Sequence, residues 1–397
     1  MIKSPQLRFA AALTASAGLV APLAAESPAA VAPAQSQAGS STARVDTALT
    51  RFAPQADRRE HRIDYEHWDE ALAWMVVPMG PSVRQGAPRV NPTTGTRRIY
   101  GHESRFRLEG NRVAFSFLND EILTGISDYR AALERVGSDL DLTAIPRNEQ
   151  LAFWLNLHNV AVVEALAKEY PLSELDASID DAKLVTVAGV SLSPREIREG
   201  IVYPNWRDPK VIYGFWRGAI GGPSIQRIAF TGDNVDALLS LSAEEFVNSL
   251  RGVERWGGAL RVSPIYQEAE PFYFSENDSL RAHLSQYGRE DVRELVSETQ
   301  QVAYTDLETD IADLSRGEKE MVYSPLQIIQ CRGACDPNTI GVSAAISVRN
   351  RPHLAIQRLM IERQYKLERA AKRGIRTGMV IYGNGEYSEG EAPPEVE

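Results

Sequence analysis

Between Ile63 and Val77 (IDYEHWDEALAWMVV), Trp68, Leu72 and Met75 recur at helical spacing, which predicts a helix with one apolar stripe. A longer helix is predicted from Asn148 to Tyr170 (NEQLAFWLNLHNVAVVEALAKEY), where Leu151, Leu155, Val162 and Ala165 follow the helical repeat and Pro171 ends it. Strand patterns are shorter. Arg105 to Phe117 alternates around Glu109-Gly110-Asn111, predicting two short strands joined by a tight turn, and Leu184 to Ser193 alternates around Ala188-Gly189 as a hairpin. Lys210 to Trp216 reads as another strand, leading into a glycine-rich loop through Gly218, Gly221 and Gly222. Ser193-Pro194-Arg195-Glu196 has the chemistry of a helix start, because Ser193 can accept from the Glu196 amide while Glu196 reaches back; this helix is short and ends at Gly200. Ser242-Ala243-Glu244-Glu245 repeats that signal and opens a helix closing near Gly252. Such irregular alternation predicts an α+β fold: a single main domain of helices packed on a small, mainly antiparallel sheet, not a doubly wound α/β sheet.

The two ends of the chain follow other patterns. Lys3 and Arg8 precede the uncharged apolar run Phe9 to Ala25, the layout of a secretory signal peptide, with cleavage expected after Ala25 or after Ala34. A retained membrane anchor is the alternative, but the run is shorter than a bilayer-spanning helix and no later segment has 18 uncharged apolar residues. Residues 26–50, rich in Ala, Pro, Ser and Gln, cannot bury enough apolar surface to offset ordering entropy and read as a disordered linker. The loop Pro78 to Gly95 is irregular, with Pro and Gly throughout. Pro352 to Arg373 predicts a basic helix, read as a solvated face or as a contact for an anionic membrane surface or cell-wall polymer. The five glutamates from Glu386 to Glu397 form an acidic, disordered tail. The address is periplasmic or secreted, with no transmembrane segment after signal removal.

Composition narrows the chemistry. The 397 residues carry 43 Lys+Arg against 53 Asp+Glu, a net charge of -10, which argues against nucleic acid as a partner. Cys331 and Cys335 are the two cysteines; in an oxidising compartment they can pair across Arg332-Gly333-Ala334, or remain free thiols. The six histidines are scattered and make no zinc-binding set, so no metal or cofactor is expected. Asn156, His158 and Asn159 lie within the long predicted helix, where they either pin a neighbouring loop by its backbone or form polar walls of a pocket. On a strand, Tyr213, Phe215 and Arg217 would share one face with Trp216 opposite, either as plain sheet packing or as a surface for a peptide or glycan.

Four stretches together resemble a known family. AFWLNLHNV (Ala152 to Val160) is similar to the AFWINxYNA signature of the DUF547 family, itself of unknown function. VAGVSLSPREIREGIV (Val187 to Val202), DPKVIYGFWRGAIGGPSI (Asp208 to Ile225) and VSPIY (Val262 to Tyr266) continue the likeness in the family's order. The resemblance implies a fold comparable to papain-like or transglutaminase-like cysteine hydrolases. It implies a histidine after the valine and a cysteine before the proline of the third stretch, where this chain has Ile212 and Gly222. Isoleucine cannot exchange a proton and glycine has no side chain, so a Cys/His mechanism at these two positions is chemically excluded. Ser224 with His158 is the remaining nucleophile and base pair, although GGPSI is not a nucleophile elbow.

The organisation expected is a signal peptide at 1–25, a linker at 26–50, a helical extension and loop at 51–97 and a DUF547-like domain at 98–290. A helical extension with Cys331 and Cys335 follows at 291–376, then a tail at 377–397. Two functions fit: a non-catalytic binding or scaffolding protein of the cell envelope, with a protein, peptide or glycan as partner, or a hydrolase or acyltransferase whose nucleophile lies outside the family motif.

Overall fold

The computed structural model describes residues 48–55, 61–90, 101–276, 278–318 and 354–375. The expected signal peptide, nearly all of the linker, the Cys331/Cys335 loop and the acidic tail lie outside these described residues. Of the described residues before Arg51, Leu49 is buried in the core.

The chain order is α1 (Glu66–Met75), β1 (Val76–Pro78), β2 (Asn111–Val113), α2 (Asp120–Asp139), α3 (Arg147–Glu169), β3 (Val185–Val187) and β4 (Val190–Leu192). A π-helical stretch (Glu196–Val202) runs directly into α4 (Tyr203–Asn205), followed by a 3-10 stretch (Pro209–Gly214) and α5 (Val235–Val247). The chain continues as β5 (Val253–Trp256), β6 (Ala259–Val262), α6 (Pro264–Tyr273), α7 (Ser279–Tyr287), α8 (Glu290–Glu298), β7 (Gln301–Tyr304) and α9 (Leu354–Lys372). The class is therefore α+β. In place of one small sheet the described residues form three: antiparallel β1–β2, the antiparallel β3–β4 hairpin, and β5-β6-β7, in which β6 and β7 run parallel.

α3 is the centre. Every residue from Glu149 to Glu164 is buried, so the helix shows no single stripe but is wrapped on all sides, by α2 and α5 among others. Trp68, Leu72 and Met75 of α1 and Val292, Leu295 and Val296 of α8 join the same apolar cluster as Phe153, Trp154 and Leu155. Each fully buried side chain of this size contributes about 1.5–3 kcal/mol.

Local signals act where the predicted element exists. Ser193 Oγ accepts from the Glu196 amide at 3.2 Å, and the Glu196 carboxylate accepts from the Ser193 amide at 2.8 Å, which completes the expected capping box. The β3–β4 turn uses Ala188 (φ 49°) and Gly189 (φ 78°), the left-handed pair a two-residue hairpin needs.

Other expectations are corrected. The helix opened by that box does not end at Gly200 but winds through the π-helical turn to Asn205. Only Asn111–Val113 of the 105–117 region is a strand, and its partner is β1 rather than a second half of a hairpin. Ser242 opens no helix: it lies inside α5, its hydroxyl bonding back to the Leu238 carbonyl at 2.8 Å. Residues 209–214 form no strand, because Asp208 caps the Lys210 amide at 3.0 Å and Pro209 fixes a helical φ.

α9 has the basic composition expected but not a solvated basic face. Lys366 is 1 % exposed and donates to the carbonyls of Gly80 and Leu108; Arg363 and Arg373 donate to those of Pro78 and Val83. Its Ile356 and Leu359 pack with Met79, Leu108 and Leu314 in a second, smaller core. No described helix is long and apolar enough to cross a membrane.

Candidate functional site

Two polar regions involve residues of the motif blocks, and the first is built on α3. The Asn156 amide donates to the Phe230 carbonyl at 2.7 Å while its oxygen accepts from the Phe230 amide at 3.1 Å. Asn159 likewise donates to the Gly214 carbonyl at 2.9 Å and accepts from the Trp216 amide at 3.0 Å. Each asparagine thus offers a passing chain the pairing a strand would offer. His158 Nε2 accepts from the Arg198 guanidinium at 3.2 Å, which places the ring proton on Nδ1, where it donates to Asn159 Oδ1 at 3.0 Å. Burial, then the Arg198 charge, push the imidazole down to about 3, so it is neutral.

Arg198, fully buried, grips Asp180 through two nitrogens at 2.8 and 2.6 Å and Glu268 at 3.0 Å. Arg217 grips the other side of Glu268 at 2.8 and 2.6 Å. Burial works against charge on Arg198, but Glu268 and Asp180 outweigh it and its pKa rises. In turn the two carboxylates, which burial alone would raise, are brought down to about 2 by the arginines. The charges in this region compensate one another.

Of the remaining aromatic candidates, Tyr213, Phe215 and Trp216 are all fully buried, which corrects the picture of alternating faces. The Tyr213 hydroxyl pairs with His283 Nε2 at 2.8 Å and donates to the Tyr266 hydroxyl at 3.2 Å, while Trp216 stacks near Phe115. None of the three presents a surface to a ligand. Ile212 is buried in the apolar core.

The second region surrounds Gly221 and Gly222. Residues 305–312 run beside the glycine loop: the Ile220 amide donates to the Asp310 carbonyl at 2.8 Å, and the Gly221 amide to that of Glu308 at 3.1 Å. A Cβ on Gly221 would lie 2.8 Å from the Glu308 nitrogen, so this approach requires glycine. Gly222 is different. A Cβ there would meet only the Ala219 oxygen at 3.5 Å and Arg217 Cβ at 3.8 Å, ordinary contacts, so the loop has room for a β-carbon that the sequence does not supply.

Arg251 holds this loop in place. It donates to the Gly222 carbonyl at 2.7 Å and to Ser224 Oγ at 3.2 Å, and pairs with Glu245. Ser224 donates to Glu245 at 2.9 Å and accepts from the Asn111 amide at 3.2 Å. The structure does not bring Ser224 and His158 together, since each is saturated by other partners. The three buried histidines bond elsewhere: His158 to Arg198 and Asn159, His283 to Tyr213, and His102 to the Asp313 carbonyl at 2.6 Å. None of these partners is a serine, threonine or cysteine.

Gly221 and Arg251 form one wall of a cleft of about 260 Å³, closed by Arg105 and Phe106, by Glu254, Trp256 and Arg261 of the β5–β6 hairpin, and by Thr305 to Glu308. Fully buried Arg112 stands behind it, donating only to the carbonyls of Asn111 and Phe106. With no carboxylate bonded to it, burial and then the neighbouring Arg251 bring its pKa down to about 9. The cleft residues were not singled out from sequence, although the alternation of VERWGGALRV around Gly257-Gly258 was a hairpin signal. No group of His, Cys, Asp and Glu able to hold a metal ion occurs among the described residues.

No curated protein and no solved structure matches the chain. Residues 142–247 match the family model "Protein of unknown function, DUF547", a span that includes three of the four motif stretches and leaves Val262 to Tyr266 outside. This segment of the chain, from just before α3 to the end of α5, is a DUF547 domain, of a family whose function is unknown.

Proposed function

We propose that this is a non-catalytic binding protein of the cell envelope, exported by its N-terminal signal and holding a peptide or glycan in the cleft beside Gly222. The carrying observation is the bare loop: at the position where the family resemblance implies a nucleophilic sulfur, a β-carbon would fit and none is present. Support comes from the histidines. A serine or cysteine nucleophile needs a nearby base, and each buried imidazole is already bonded to an arginine, an amide, a phenol or a backbone carbonyl. His158 and His283 are in addition held neutral, with pKa values brought by burial down to about 3 and about 4, too weakly basic to take a proton from an alcohol at neutral pH.

The test is labelling of the mature protein with a serine-directed phosphonate and a thiol-directed probe. The expected result is no modified serine, and modification of Cys331 and Cys335 no faster than in the denatured chain. Stoichiometric labelling of one serine, or a cysteine reacting faster than in the denatured chain, overturns the reading in favour of a hydrolase or acyltransferase. Export is tested by sequencing the N-terminus of the native protein, expected at Glu26 or Gln35; a retained Met1 removes that part of the proposal.

A further inference from the structure

The β5-β6-β7 register sorts side chains onto two faces. Glu254 pairs with Arg261, Trp256 with Ala259, and Arg261 with Ala303, so these side chains point one way, while Val253, Leu260 and Val262 point the other way into the core. The first face is the floor of the cleft. Its hairpin turns at Gly257, with φ 61°, and leaves Trp256 60 % exposed.

Arg261 is the uncommitted cation here. Its guanidinium lies 4.9 Å from the Trp256 ring centroid, a stacked arrangement that fixes its fork of donors in advance. Among the described residues the Arg261 side chain forms no ion pair and no hydrogen bond, whereas the other two arginines of the cleft are engaged, Arg105 by Glu254 and Arg251 by Glu245, Gly222 and Ser224. Asp306 and Glu308 also line the cleft, together with Glu254, which is engaged by Arg105.

From this juxtaposition we infer that the cleft binds an acidic saccharide, its carboxylate on Arg261 and its ring against Trp256. The inference rests on the reading of this cleft as a binding site and adds the ligand class. A pyranose ring has a flat C–H face suited to the exposed indole. Its hydroxyls are donors for which Asp306 and Glu308 are ready acceptors. A neutral sugar leaves the guanidinium unused. An acidic peptide matches the charge but offers no flat C–H ring face to the indole and no hydroxyl donors to Asp306 and Glu308.

The experiment is calorimetric titration of the full chain with trigalacturonate, with a neutral trisaccharide, and with tri-glutamate. Trigalacturonate is expected to bind at least about tenfold tighter than either control, the size of one charge-assisted bidentate contact. Arg261→Gln should remove that preference and Arg261→Lys restore it in part, while Trp256→Ala weakens all saccharide binding. Thermal melting of each variant, expected within about 2 °C of the parent because both side chains lie at the surface, separates loss of contact from loss of fold. Equal or tighter binding of tri-glutamate, equal binding of the neutral sugar, no binding at all, or unchanged affinity in Arg261→Gln overturns the inference. Covalent labelling of a nucleophile is a separate readout: it removes the non-catalytic reading without touching the titration.

Discussion

Arg198 and Arg112 are both fully buried, yet their environments are opposite. Arg198 sits between Asp180 and Glu268, which more than offset burial and raise its pKa. Arg112 has two backbone carbonyls and a second arginine for company, and burial with Arg251 brings it down to about 9. The first region is closed electrostatically: its charges, its neutral His158 and its two asparagines are all spent on holding segments of the same chain. The region beside the glycine loop balances three arginines against three carboxylates along its cleft, yet leaves the Arg261 guanidinium without an ion-pair partner among the described residues. The difference teaches that the most polar part of the motif is a structural tie, while the cleft lies against Gly221, next to the buried position where the motif has lost its side chain.

Replacing one partner on each side tests the contrast, and the largest effect is expected in the closed network. Arg198→Met strands Asp180 and half of the Glu268 pairing without a counter-charge, and should cost about 3–5 kcal/mol in urea denaturation. A loss below about 1 kcal/mol would show that the network does not tie the fold.

Acid is next. His158 and His283 are held at about 3 and about 4, and Asp180 and Glu268 at about 2, all below the values of the unfolded chain. In each case the unfolded state binds protons first, so stability is full above the unfolded pKa and falls as the pH drops. Loss should start below the histidine reference of 6.5 and steepen between the Glu reference of 4.5 and about 2. A melting temperature unchanged from pH 7 to pH 3 would contradict this.

Arg112→Met sharpens the comparison from the other side. It removes a charge that burial disfavours and leaves two carbonyls without a donor, so the cost should be about 1–2 kcal/mol, clearly below that of Arg198→Met. Equal costs would erase the distinction.

The smallest effect belongs to the glycine loop. Gly222→Ala should stay within about 1 kcal/mol of the parent, since its Cβ meets only ordinary contacts, whereas Gly221→Ala drives a methyl into the backbone of Glu308 and should cost about 1–3 kcal/mol. A reversed order would mean that Gly222, not Gly221, is the glycine the loop requires.

What could be read in advance depended on range. α3 was legible because its length and Pro171 are local facts, as were the Ser193/Glu196 box and the Ala188-Gly189 turn. Asp208-Pro209 is equally local and was a missed signal: its cap and fixed φ outweigh the aromatic and β-branched residues that made 210–216 look like a strand. The Ser242 box failed for a different reason. A capping box acts only on a helix that starts there, and α5 already starts seven residues earlier, after Thr231 and Asn234 bond each other's amides at 3.1 and 2.8 Å. The amphipathic stripe predicted for α3 could not hold either, because periodicity reports one buried face and this helix is buried on all of them.

By itself the sequence determined the α+β class, the helices and turns whose signals span about four residues, the family likeness, and the absence of a nucleophile and a base at positions 222 and 212. Only the tertiary structure decided that the α3 asparagines clamp residues 214–216 and 230, that the basic α9 spends its cations on buried carbonyls, and that Arg105, Arg251, Trp256, Arg261 and Glu308 share one cleft. The reason is physical: capping, turn formation and chemical capacity belong to a residue and its near neighbours. Compensation of a buried charge and the walls of a cleft come from segments up to 286 positions apart, which burial of the common core brings together.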